Sequence, residues 1–149
     1  MPKIGGQHEV YLIRALNAYK EQARSHVTMH ANAASLSDED IEDISAYFAS
    51  FTEGFSVEAE GETLAENEES PATDCVACHG VRGNSDNGTY PKLAGQYESY
   101  IIKALTDYRS GDRKNALMSG FAAGLSDQDI RDLAEWFANQ EKSDLKVLD

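Results

Sequence analysis

The chain has 149 residues, 41% of them hydrophobic, which suits one ordinary domain or two small ones and argues against wholesale disorder. A net charge of −13 and a sequence pI near 4.6 argue against nucleic acid as a partner, because phosphate binding needs a basic footprint. No apolar run approaches the ~20 residues of a membrane span, and no charged-then-apolar signal segment opens the chain.

The first pattern along the chain is one member of a repeat. A shift of 89 positions lays residues 2–51 on 91–140 without a gap, with about two positions in five identical. Pro2-Lys3-Ile4-Gly5-Gly6-Gln7 falls on Pro91-Lys92-Leu93-Ala94-Gly95-Gln96, and Met29 on Met118. Both copies read as helix, loop, helix. In the first, Tyr11, Leu12, Leu16 and Tyr19 make one apolar face. Ser37 reads as an N-cap with Asp40 three residues on, ahead of Ile41, Ile44 and Phe48. No segment sustains period-two alternation, so the chain is read as all-α. His26, Met29 and His30 stand at i, i+3, i+4 and invite a metal reading, but three such residues are weak evidence for one.

Residues 54–73 follow, with six glutamates and no lysine or arginine. They read as a solvated acidic linker, or as a patch steering a basic partner. Gly61–Glu66 within them reads as a short helix. Next comes Cys75-Val76-Ala77-Cys78-His79, a C-x-x-C-H run and the attachment signature of a c-type haem. Two thiols at this spacing reach the two vinyl groups on one porphyrin edge. The histidine directly after them swings under the ring and ligates the iron. A bare C-x-x-C also reads as a redox dithiol or half a zinc site. These are the only cysteines, so a zinc site lacks its second pair, and the polar, glycine-containing flanks do not suit a thioredoxin-like motif.

A polar loop, Gly80 to Tyr90, leads into the second copy. Tyr97, Tyr100, Ile101, Ala104, Leu105 and Tyr108 share a helix face that Gly111 ends. Ser126 with Asp129 marks the next N-cap, Leu125 and Ile130 stand where a hydrophobic staple forms, and Ile130, Leu133, Ala134 and Phe137 line the last helix. Residues 55–149 are therefore read as a complete unit with a motif, and residues 1–54 as a partial unit without one. Bacteria attach haem covalently outside the cytoplasm. A signal peptide is thus expected to have stood upstream of Met1, with the sequence read as a fragment, a trimmed version or a mis-started reading frame of a periplasmic protein; a further C-x-x-C-H upstream would settle the truncation of the first unit.

Cys75 to Gly80, Tyr90 to Gln96, Tyr108-Arg109-Ser110-Gly111, Met118 and Leu125-Ser126-Asp127 together resemble the bacterial class I c-type cytochromes, most of all the di-haem c4 family. The resemblance spans nearly the whole chain and departs from the family at the missing first motif. It implies a class I cytochrome c fold for 55–149, preceded by the C-terminal half of a truncated unit. It implies one haem c per chain on Cys75 and Cys78, His79 as proximal ligand, the Pro91 carbonyl as acceptor for the other ring N–H, and Met118 as sixth ligand. Met118 stands in a loop-like stretch beside Ser119 and Gly120, which favours a ligand over core filling. Pro91, Tyr108 and Trp136 read as packing and haem-pocket residues. Arg109 and Arg113 read as partners of the haem propionates, or as solvated surface residues.

The function expected is single-electron transfer through a His/Met-ligated haem, between redox partners such as a cytochrome bc1-type donor and a terminal oxidase or reductase acceptor. The alternative is a haem-bearing relay subunit of a larger oxidoreductase. An enzyme such as a peroxidase, the third reading, needs Met118 off the iron. The truncated first half, short of helix and haem to pack on, is expected to lean on the second unit first of all, or else to pair with another copy or stay loosely ordered.

Overall fold

The structure is a computed structural model and describes residues 1–51 and 72–140. The acidic stretch and the helix expected at Gly61–Glu66 lie outside the described residues. Seven α-helices occur among the described residues: α1 Glu9–Lys20, α2 Val27–Ala33, α3 Asp38–Ala49, α4 Ala72–His79, α5 Glu98–Ser110, α6 Ala116–Ala122 and α7 Asp127–Ala138. No strand occurs among the described residues. The repeat is realised helix for helix, with α1, α2 and α3 matching α5, α6 and α7.

Local chemistry sets the helix ends. Ser37 Oγ accepts from the Asp40 N–H at 3.1 Å while the Asp40 carboxylate accepts from the Ser37 N–H at 2.8 Å. Ser126 and Asp129 repeat this box at 3.1 and 2.8 Å. Each box satisfies two amide donors that a helix start otherwise leaves open. Gly111 ends α5 at φ 85°, in the left-handed region.

The stretches expected as loops around Met29 and Met118 are short helices instead. Asn115 Oδ1 accepts from the Met118 N–H at 3.0 Å and starts α6. His26 Nδ1 accepts from the Met29 N–H at 3.2 Å and starts α2. Ser119 and Gly120 suggest a loop, but the cap and the alanines on either side outweigh two residues of modest helix propensity.

Both copies bury apolar side chains, Leu12, Tyr19, Ala33 and Ile41 in the first and a connected cluster in the second. Ala72 of α4, Ile101 of α5, and Leu133, Ala134, Trp136 and Phe137 of α7 form one buried cluster, with Cys75, Val76, Leu93 and Leu105 packed on it. Trp136 and Phe137 meet edge to face at 4.7 Å. In the first copy α1 packs on α3 and α2, and no described helix stands where α4 does in the second. Tyr47 is accordingly 60% exposed where its counterpart Trp136 is 8%.

The two copies are joined by contacts that exchange partners. Lys3 N–H donates to Gln96 Oε1 at 2.9 Å and Gln96 Nε2 donates to Lys3 O at 2.9 Å. Reciprocally, Lys92 N–H donates to Gln7 Oε1 at 2.9 Å and Gln7 Nε2 donates to Lys92 O at 3.0 Å. Lys3 Nζ reaches Gly95 O, and Lys92 Nζ reaches Gly6 O. Ser25 N–H donates to Asp112 O at 3.4 Å, and Lys114 N–H to Ala23 O at 3.0 Å. Each of these bonds has a mate with the two copies interchanged, which is the signature of a two-fold relation between them.

Candidate haem site

Helix α4 presents the motif. Cys75 and Cys78 are three residues apart, so their side chains share one helix face, and both are half-buried thiols outside any disulfide. Burial above all, then the charges at Asp74 and Cys78, pushes the Cys75 thiol up to about 11. A redox dithiol needs the opposite, a thiolate stabilised near neutral pH. The pair therefore suits thioether formation, in which each S–H adds across a vinyl C=C.

His79 closes α4 and is 6% exposed. Its Nδ1 lies 2.9 Å from Pro91 O. A carbonyl only accepts, so Nδ1 carries the proton and Nε2 keeps a lone pair for a metal. Burial holds the imidazole below its usual pKa, against the Pro91 bond, so the ring is neutral at pH 7. Tyr90 stands edge-on to it at 6.1 Å.

The loop after the motif brings the Pro91 carbonyl back to His79. Gly80 and Gly83 both take φ 80°, a conformation that costs other residues. Space forbids replacement as well. A Cβ on Gly80 would meet Asn84 O at 2.5 Å, and one on Gly83 would meet Phe137 Cδ1 at 2.8 Å and Ala94 N at 2.9 Å. Gly83 O accepts from Leu93 N–H at 2.8 Å and Ala94 N–H at 3.2 Å, which closes the loop. Buried Ser85 donates from Oγ to Cys78 O at 3.1 Å.

Helix α1 of the first copy lies along this loop. His8 Nε2 donates to Ser85 O at 2.6 Å, Arg14 donates to Thr89 O, and Val10 touches the place a Gly88 Cβ would occupy, at 3.9 Å. The first copy thus braces the segment that follows the motif. The sequence hinted at this only through Gln7, Arg24 and their identical counterparts Gln96 and Arg113, polar positions held in both copies.

Cys75, Cys78, His79 and Pro91 are thus gathered at one place. Met118 is half-buried on α6, which packs against α5. Arg109 takes the surface role: it bonds Leu125 O at 2.9 Å and Asp127 Oδ1 at 2.6 Å, holding that carboxyl below its usual range. Arg113 is buried against Tyr108 and Tyr11. His26 caps α2, and His30 Nδ1 donates to Tyr19 O at 2.9 Å. Among the described residues no three His, Cys, Asp or Glu side chains are placed to hold a metal ion.

An all-helical unit with a C-x-x-C-H on a half-buried helix, a neutral imidazole protonated at Nδ1 and a methionine on a separate helix is the design of a class I c-type cytochrome. The family model described as "Cytochrome c" matches residues 58–141. The chain is 36% identical to cytochrome c4 of Pseudomonas aeruginosa, over 91% of this chain and 73% of that protein. It is 34% identical to the thiosulfate dehydrogenase electron acceptor of Stutzerimonas stutzeri, over 93% of this chain and 70% of that one. The solved cytochrome c4 of Acidithiobacillus ferrooxidans superposes with a TM-score of 0.76 at 28% identity, covering 92% of this chain and 88% of that one. The chain belongs to the cytochrome c family and is a class I c-type cytochrome of the c4 type. It carries covalent haem c and works as an electron carrier, alone or within a larger oxidoreductase.

Proposed function

We propose that the protein carries single electrons in the periplasm through one haem c fixed by Cys75 and Cys78, with His79 and Met118 as axial ligands. The haem, when bound, supplies the one-electron chemistry of its iron. The chain orients and insulates it. The observation that carries this reading is the 2.9 Å bond from His79 Nδ1 to Pro91 O, which fixes the tautomer, turns Nε2 outward as a donor and raises its basicity. Met118, as the second protein ligand, would raise the potential and leave no site open to oxygen or substrate. Residues 1–54 form a partial unit without its own motif. Residues 55–149 form the mono-haem unit. The lack of a described counterpart to α4 in the first copy supports this division, since the packing of α5 on α7 is matched there by α1 on α3.

The partners fitting this role are a cytochrome bc1-type donor and a terminal oxidase or reductase acceptor. The similarity to a thiosulfate dehydrogenase electron acceptor favours a second reading, a relay subunit bound to a catalytic partner. Mixing the reduced, matured chain with oxidase-containing membranes separates the two. Free carriage predicts reoxidation at a rate linear in chain concentration. No reoxidation, with the chain instead co-purifying in fixed ratio with a catalytic subunit, establishes the relay.

A further inference from the structure

The Pro91 carbonyl and the Lys92 N–H belong to one peptide group, and both of its polar ends are engaged. The carbonyl accepts from His79 Nδ1 at 2.9 Å. The N–H donates to Gln7 Oε1, also at 2.9 Å. The described residues hold no cis peptide bond, so the two ends point in opposite directions across a rigid plane. An unbroken chain of hydrogen bonds thus runs from the His79 ring, through that plane, to a side chain of the other copy.

Gln7 holds its end of the chain still. It is 4% exposed. Its Oε1 accepts a second bond, from the His8 N–H at 3.0 Å, and its Nε2 donates to Lys92 O at 3.0 Å. Two amide donors on the oxygen and a carbonyl on the nitrogen permit a single orientation of the side-chain amide. His8 donates from Nε2 to Ser85 O at 2.6 Å, and Ser85 Oγ donates to Cys78 O at 3.1 Å. The first copy therefore grips the loop at Ser85 and at Lys92, with Pro91 between. The mirror arrangement has no such reach. Gln96 Oε1 accepts at 2.9 Å from the N–H of the Pro2–Lys3 peptide, and the sequence has no second C-x-x-C-H whose histidine could use the Pro2 carbonyl.

Hydrogen bonds in series polarise one another. An acceptor on the Lys92 N–H moves electron density onto the Pro91 oxygen. The oxygen then draws the His79 Nδ1 proton more strongly and makes Nε2 the more basic donor. A more basic axial ligand favours oxidised iron. We infer that Gln7, in the copy without a haem motif, is a positioning residue for the proximal ligand of the other copy: by accepting from the Pro91–Lys92 peptide it fixes and polarises the carbonyl that holds His79, and so lowers the reduction potential. The inference rests on the electron-carrier reading above.

The test compares matured full chains of the parent, Gln7→Met, Gln7→Glu and Gln96→Met. The readouts are the reduction potential and the proton NMR shift of His79 Nδ1–H in the reduced, diamagnetic state. Gln7→Met keeps the length of the side chain and removes the acceptor. It should move the Nδ1–H resonance upfield. It should also raise the ratio of reduced to oxidised iron at a fixed ambient potential by roughly 1.5- to 4-fold, the scale expected when one bond of a series weakens its neighbour by ~10–30%. Gln7→Glu keeps an oxygen on the Lys92 N–H and makes it a stronger acceptor, so the resonance should move downfield and the potential should fall. Gln96→Met breaks the mirror bonds and should leave both readouts at the parent values. A role confined to the joint predicts instead that Gln7→Met and Gln96→Met act alike, and that the two Gln7 variants move in the same direction. Either of those results, or a parent-like Nδ1–H shift in a haem-loaded Gln7 variant, overturns the inference and leaves electron carriage standing. A parent chain without covalent haem, or without a reversible one-electron wave, defeats both readings.

Discussion

Gln96→Ala removes a side chain that is 4% exposed and makes three hydrogen bonds, two of them to the other copy. Its Oε1 accepts from the amides of Lys3 at 2.9 Å and Tyr97 at 3.1 Å, and its Nε2 donates to Lys3 O at 2.9 Å. Each such bond contributes about 0.5–1.5 kcal/mol net, so the loss should reach about 2–4 kcal/mol. Gln7 makes the mirror set, accepting from Lys92 at 2.9 Å and His8 at 3.0 Å and donating to Lys92 O at 3.0 Å. Gln7→Ala should therefore cost nearly the same. The two losses should couple in the double variant, because both loosen one joint. Urea unfolding of the haem-loaded chain, followed by far-ultraviolet circular dichroism, measures all three through the shift in midpoint at constant m. A loss below about 0.5 kcal/mol for either single variant, or one several times the other, would refute a symmetric, energetically significant joint.

Other substitutions probe separate parts of the account. Met118→Ala should lower the reduction potential and let small ligands such as cyanide reach the iron rapidly; a parent-like spectrum and potential would make Met118 a packing residue. Gly83→Ala should destabilise by about 2 kcal/mol or more, since the Cβ would strike Phe137 and the Ala94 amide at a residue with φ 80°; an unchanged melting temperature contradicts that contact. Ser45 is fully buried, its Oγ has no hydrogen-bond partner among the described residues, and its repeat mate is Ala134. Ser45→Ala should stabilise by about 1 kcal/mol, read as a raised unfolding midpoint, and a lowered one would show that the hydroxyl is bonded after all.

The sequence made some of these features legible and hid others, for identifiable reasons. The capping boxes at Ser37 and Ser126 and the stop at Gly111 are local codes, readable within four residues, and each is found in place. The motif and the Pro91 partner of His79 are also local, separated by one loop. Asn115 and His26 as caps were not foreseen, because a glycine beside Met118 and a histidine beside Met29 obscure a two-turn helix. The joint between copies is long-range, and periodicity cannot see it. Tyr11 and Tyr100 read as apolar positions of their helices, yet each hydroxyl reaches an arginine of the opposite copy. The polar identities at Gln7/Gln96 and Arg24/Arg113 were the available signal. A glutamine or arginine held in both members of a repeat has a partner more often than a surface.

The central claim is that one haem on this chain takes and gives up one electron. An optical redox titration of the matured chain, with haem and protein both quantified, tests it most directly. The account predicts a single reversible one-electron wave amounting to one electron per chain. Two electrons per chain, or no reversible wave at all, would contradict it.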